Sequence, residues 1–126
     1  MWTFLHLFRT ASIGLLLVVG LPPVNAQTNN DTVQDMYQKC TGNDENERAL
    51  CTGYVSGIGD YMWVIGVARK DQQLGLCASP SPSHGAMLQA FVVWAQHHPK
   101  LWNKESEIGV GDALRETWPC IEKESR

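Results

Sequence analysis

Cys40, Cys51, Cys77 and Cys120, together with His84, His97 and His98, are the residues of this sequence best equipped for chemistry. A thiol enzyme needs a free cysteine held as its thiolate beside a histidine or another cation. Here the cysteines are even in number and each has a candidate partner, so they read as two disulfides and not as a nucleophile. His97 and His98 are neighbours in sequence and point to different sides of a helix, and no zinc-like ligand spacing surrounds them or His84. They read as surface or helix-end histidines. Asp60 is the one acid among the apolar positions of its segment; no second carboxylate is spaced to form an acid and base pair with it, and it reads as a solvated charge. The glycines lie inside a helical pattern and not between a strand and a helix, which excludes a phosphate-cradling loop. No catalytic residue, metal or cofactor is predicted, and the chain reads as a non-enzyme.

The aromatic residues point to binding. Trp63, Trp94 and Trp118 stand at helical spacings suited to a core, whereas Trp102 falls in a loop from Pro99 to Glu105, beside Lys100, Asn103, Lys104 and Glu105. An exposed tryptophan rimmed by charge is the pattern of a protein-binding hot spot. The competing reading, which the pattern favours slightly, is that the same indole folds back as a plug on the end of the bundle. On the binding reading, Trp102, Lys100, Asn103, Lys104 and Glu105 form the partner contact, with Ser81 and Ser83 of the Ser79 to Ser83 turn as a further edge.

Elements must position these residues, and the N-terminus is not one of them. A basic start ending at Arg9, an apolar run from Ala11 to Leu21 and the small residues of Val24-Asn25-Ala26 read as a signal peptide over residues 1–26. The apolar run is shorter than the ~20 residues a spanning helix needs, and no second apolar segment follows, so no membrane association is expected after cleavage. The mature chain, residues 27–126, is one domain by length. The leader holds one arginine and no acid, so its loss makes the net charge of −3 one unit more negative. That balance lacks the basic stripe of a nucleic-acid binder. Disulfides suit an exported chain of this size, which buries only about 60 to 65 % of its unfolded surface and gains from cross-links.

Periodicity and cap residues predict four helices. Asp31 caps the first, with Gln34 completing a capping box, and Val33, Met36, Tyr37 and Cys40 share a face. Gly42 ends it, and Asn43 or Asp44 begins a long second helix running to about Gln73, with Tyr54, Ile58, Tyr61, Ile65 and Ala68 as its stripe. Each glycine inside a helix costs about 1 kcal/mol. Gly53 and Gly57, one turn apart, are the pair predicted to admit another backbone, with Tyr54 beside them in the packing face. Ser83 caps a third helix bearing Leu88, Phe91, Val92 and Ala95, which stops at His98 because a residue before proline leaves the α region. Ser106 caps the fourth, where Val110, Leu114 and Trp118 align. The fold class is therefore all-α, a small disulfide-stapled bundle of about four helices following a cleaved signal peptide. Short loops favour antiparallel neighbours. An up-and-down path brings Cys40 to Cys51 at one end and Cys77 to Cys120 at the other, cross-links worth about 3 and 4 kcal/mol by chain entropy.

The ordered motifs Cys51-Thr52-Gly53-Tyr54-Val55-Ser56-Gly57, Cys77 with Pro80, His98-Pro99, Ala113-Leu114 and Trp118-Pro119-Cys120 resemble the Rap/Tai family of periplasmic immunity proteins. The likeness spans most of the mature chain. It implies a small helical fold, frequent homodimerisation, and inhibition of papain-like peptidoglycan amidases of type VI secretion by occlusion of the active-site cleft. The sequence departs from the family's Cys-x-Pro form, reading Cys77-Ala78-Ser79-Pro80, where a partner-facing edge would lie. Two rival readings are a periplasmic helical chaperone of the acid-stress type and an orphan envelope interaction module. A chaperone would bind many unfolded clients in acid, an immunity protein one folded amidase at neutral pH.

Overall fold

The computed structural model describes residues 31–71 and 73–120; the predicted signal peptide, residues 1–26, lies outside them. Four α-helices follow in chain order, α1 (Val33–Thr41), α2 (Glu45–Ala68), α3 (His84–His97) and α4 (Ser106–Thr117), with a single 3-10 turn at Pro99–Leu101 before α4. The chain is an all-α bundle cross-linked by Cys40–Cys51 and Cys77–Cys120, the pairing expected from the up-and-down path. Each helix packs on the other three. The shared core holds Val33 and Met36 of α1, Val55 and Met62 of α2, Met87, Phe91 and Trp94 of α3, and Val110, Ala113 and Leu114 of α4.

Local chemistry sets the boundaries, in places a residue or more from where they were expected. The N-cap of α1 is Thr32 and not Asp31: Thr32 Oγ1 accepts from the Asp35 amide at 3.2 Å, and Asp35 Oδ2 accepts from the Thr32 amide at 3.0 Å. Asp31 is engaged elsewhere, its carboxylate with Lys39 and its carbonyl with the Ser106 amide at 2.8 Å. That leaves it no freedom to turn back on the helix. Hydrogen bonds from the Thr32 backbone and side chain hold the Asp35 carboxyl below the usual aspartate range. At α2 the cap is Asp44, whose Oδ1 accepts from the Asn46 and Glu47 amides at 2.8 and 3.2 Å.

Helix α2 ends at Ala68, short of Gln73, because Lys70 takes φ 55° and the Asp71 amide turns back to the Ile65 carbonyl. Asp71 Oδ1 then accepts from the Gln73 and Leu74 amides, tightening the turn, and the Leu76 amide donates to the Met62 carbonyl. The returning strand of loop lies flat on the helix. A methyl on Gly66 would strike the Leu76 carbonyl, and one on Gly75 would strike the Gly66 backbone. These glycines, with Gly59 beneath Met87 and Gly109 beneath Val33, are the close approaches of the bundle. Gly53 and Gly57 are not: both are exposed, with nothing within 4 Å of where a Cβ would stand. The buried face of α2 runs through Cys51, Val55, Gly59, Met62, Ile65 and Gly66, so of the predicted stripe Ile65 is buried and Ile58 packs against the core, whereas Tyr61, 66 % exposed, and Ala68 face outward. Tyr54 does pack inward, its hydroxyl 2.8 Å from Ser106 Oγ and donating to Glu107 at 3.3 Å. Burial pushes that phenol above its ordinary pKa, against the hydrogen bond with Ser106. Ser106 is consequently a buried first residue of α4 and not its cap; Glu105 occupies the cap position without a side-chain bond.

Candidate functional site

The loop between α3 and α4 begins where His98 leaves the helical region at φ −121°, ψ 54° ahead of Pro99. Trp102 then folds back on the bundle. Its Nε1 donates to the Ala95 carbonyl at 2.8 Å, and its ring stacks on Tyr37 with centroids 5.7 Å apart. Tyr37 in turn accepts from Gln96 at 3.0 Å. The half-buried indole is thus a plug that holds the loop down, the second of the two readings open to it. The following backbone is fixed as well. The carbonyls of Trp102 and Lys104 accept from the Gln34 and Val33 amides, so the loop runs antiparallel beside the start of α1. Lys100, Asn103, Lys104 and Glu105 project from this immobilised backbone into solvent, with Lys104 turned to Asp112 at 3.3 Å and Asp112 also paired with Arg115 at 2.8 Å.

The other predicted edge lies elsewhere. Ser83 uses its hydroxyl to cap α3, accepting from the Ala86 amide at 3.2 Å, while Ser81 is exposed in the turn before it. The turn is anchored from below by Trp63 Nε1 on the Ala78 carbonyl at 2.9 Å and by the Cys77 amide on the Trp118 carbonyl. Asp60 is exposed and meets His84 there, 3.0 Å from its Nε2. Ser81 and Ser83 therefore sit at the N-terminal end of α3, and Lys100 to Glu105 at its C-terminal end. A helix of 14 residues separates them by about 20 Å. The predicted contact residues form two edges, not one patch.

Between those edges runs a groove that sequence reasoning missed. It is an open groove along α3 and the last turn of α4, of about 460 Å³, lined by Ala86, Ala90, Val93, Gln89, His97 and Glu116 among others. Trp94 is 6 % exposed below it; its Nε1 donates to Glu116 at 2.7 Å, and His98 stacks on it at 4.5 Å. The α3 half is visible as a stripe of spacing four, three and four through Ala86, Ala90, Val93 and His97. Its pairing with Glu116 depends on how α4 crosses α3, which no local pattern encodes.

All four cysteines are oxidised, so no thiolate is available to attack a substrate. His84, His97 and His98 are engaged with Asp60, the Val93 carbonyl and the Trp94 carbonyl respectively. No helix of the described residues is long and apolar enough to cross a membrane. A helical bundle cross-linked by two disulfides belongs to the class of small all-α, disulfide-stapled domains. Within that class the chain belongs to the Rap1a immunity proteins, whose family model it matches over residues 32–120, from the α1 cap to the last cysteine. No curated protein matches the chain. It is an immunity-type protein, and membership implies a protein effector as its partner.

Proposed function

We propose that this chain is exported to the periplasm through residues 1–26 and there neutralises a papain-like peptidoglycan amidase of type VI secretion by covering its active-site cleft. The observation that carries this reading is the Lys100 to Glu105 loop, which combines exposed polar side chains with a backbone tied to α1 at Val33 and Gln34 and plugged by Trp102. A loop already held in one shape loses little entropy when it docks, which is how a small protein reaches high affinity. Disulfides suit the oxidising compartment in which such an effector acts.

Homodimerisation belongs to the same reading. Leu50, Tyr61 and Val64, at 51, 66 and 47 % exposure, lie with Gly53, Gly57 and Ala68 along the outer face of α2. This uncharged stripe suits a second copy packed helix to helix, with Gly53 and Gly57 admitting the close approach that they lack within one chain. The test is protection. Cells exporting a papain-like amidase that the mature chain binds should survive when the full chain is co-expressed, and lyse when it is expressed without residues 1–26. Lysis in both cases, with the exported chain intact, would refute the role.

A further inference from the structure

We propose that the α3/α4 groove is the receptor half of the partner interface and takes an arginine side chain, flanked by an apolar residue, from a surface segment of the effector. The inference rests on the immunity reading and names the chemistry that this surface recognises. Ala86, Ala90, Val93 and Trp94 give it an apolar lining, and its one formally charged lining residue is Glu116. Glu116 spends Oε2 on the Trp94 indole, leaving Oε1 without an assigned bond among the described residues. It lies in the last turn of α4, where the carbonyl end of the helix adds partial negative charge.

The histidines extend this preference. His97 Nδ1 is 2.7 Å from the Val93 carbonyl and His98 Nδ1 is 2.8 Å from the Trp94 carbonyl. A carbonyl only accepts, so both rings carry a proton on Nδ1 and are held in place by it. Glu116 thus supplies the groove's formal negative charge, with His97 and His98 lining it as well, and no lysine or arginine lines it. Such a surface disfavours a carboxylate, and a compact, strongly hydrated ammonium gains little from its apolar lining. A guanidinium, with five donors on a rigid planar fork and weak hydration, can pair with the Glu116 carboxylate while its plane lies on the apolar lining. A further hollow of about 490 Å³, lined by His97, His98, Pro99, Lys100 and Leu101, continues the surface to the loop that faces the effector. One partner can therefore engage the loop and the groove together.

The test uses the whole mature chain and defined probes. Acetyl-Leu-Arg-Leu-amide, its citrulline counterpart and its lysine counterpart are titrated into the ¹⁵N-labelled protein. The arginine peptide should give saturable shifts at Gln89, Val93, His97 and the Trp94 indole. Replacing arginine by citrulline, or Glu116→Gln, should weaken binding about tenfold, the size of one charge-assisted hydrogen bond. Glu116→Gln retains an oxygen for the Trp94 indole, and its unchanged unfolding transition separates lost charge from lost fold. Equal binding of arginine and citrulline peptides overturns the proposal, as does tighter binding of lysine or the absence of shifts at millimolar peptide. Failure here with amidase inhibition intact removes the groove chemistry alone, whereas loss of inhibition by the wild-type chain removes the immunity reading beneath it.

Discussion

Trp102 shows how far residue type alone reaches. Its loop position and charged neighbours made it a candidate anchor, yet the deciding facts are the Ala95 carbonyl and the Tyr37 face, both supplied by distant helices. Trp102→Ala is therefore expected to cost about 2 kcal/mol of stability, part of what a fully buried tryptophan contributes, and to release the loop. Trp102→Phe keeps the ring stacking and should lose only about 1 kcal/mol with the hydrogen bond. Denaturant unfolding of the two variants measures both; an unperturbed Trp102→Ala transition would mean that the indole carries no structural load. Asp35 makes a second residue-scale prediction. Its folded pKa is depressed, so its contribution to stability is complete above the ordinary aspartate value and disappears as pH falls through the lower folded value. In Asp35→Asn that acid-side loss should vanish, leaving a flatter stability profile below about pH 4. A profile identical to wild type would exclude Asp35 as a source of the acid sensitivity.

At the scale of elements, helix number and type were legible because caps and apolar periodicity are local. Asp44 and Ser83 stand at the starts of α2 and α3, and Gly42 at the end of α1. The face of α2 was legible only in part: Tyr54, Ile58 and Ile65 pack inward, but Tyr61 and Ala68 do not. Aromatic Tyr61 draws attention outward, while the true contact line contains Gly59 and Gly66, which carry no hydropathy signal and act by letting Met87 and the Leu76 backbone approach. Which glycine of several is closely packed depends on where a partner element lies, and that is non-local information. The contrast is measurable. Gly57→Ala should stabilise the monomer fold by up to about 1 kcal/mol through helix propensity. Gly66→Ala should destabilise it, because a main-chain carbonyl and not a flexible side chain must move. On the proposed dimer face, Gly57→Arg should preserve helical circular dichroism and halve the sedimenting mass. A wild-type chain that sediments as a monomer at all concentrations would remove α2 as a dimer surface.

At the scale of the whole molecule, two disulfides and four mutually packed helices hold two polar edges about 20 Å apart on the rigid axis of α3. The bundle and its cross-links followed from cysteine parity and chain path; the groove between the edges did not, since Glu116 reaches it only through the crossing of α3 and α4. A fixed frame of this kind suits stoichiometric inhibition of one folded partner. The most direct measurement is a titration of peptidoglycan cleavage by a papain-like amidase that the chain binds, at neutral pH and at enzyme concentrations well above the dissociation constant. Activity should fall linearly and reach zero at one protomer per amidase. Undiminished cleavage in the presence of excess folded protein would contradict inhibition, and suppression of aggregation of many acid-unfolded clients by the same preparation would identify a chaperone instead.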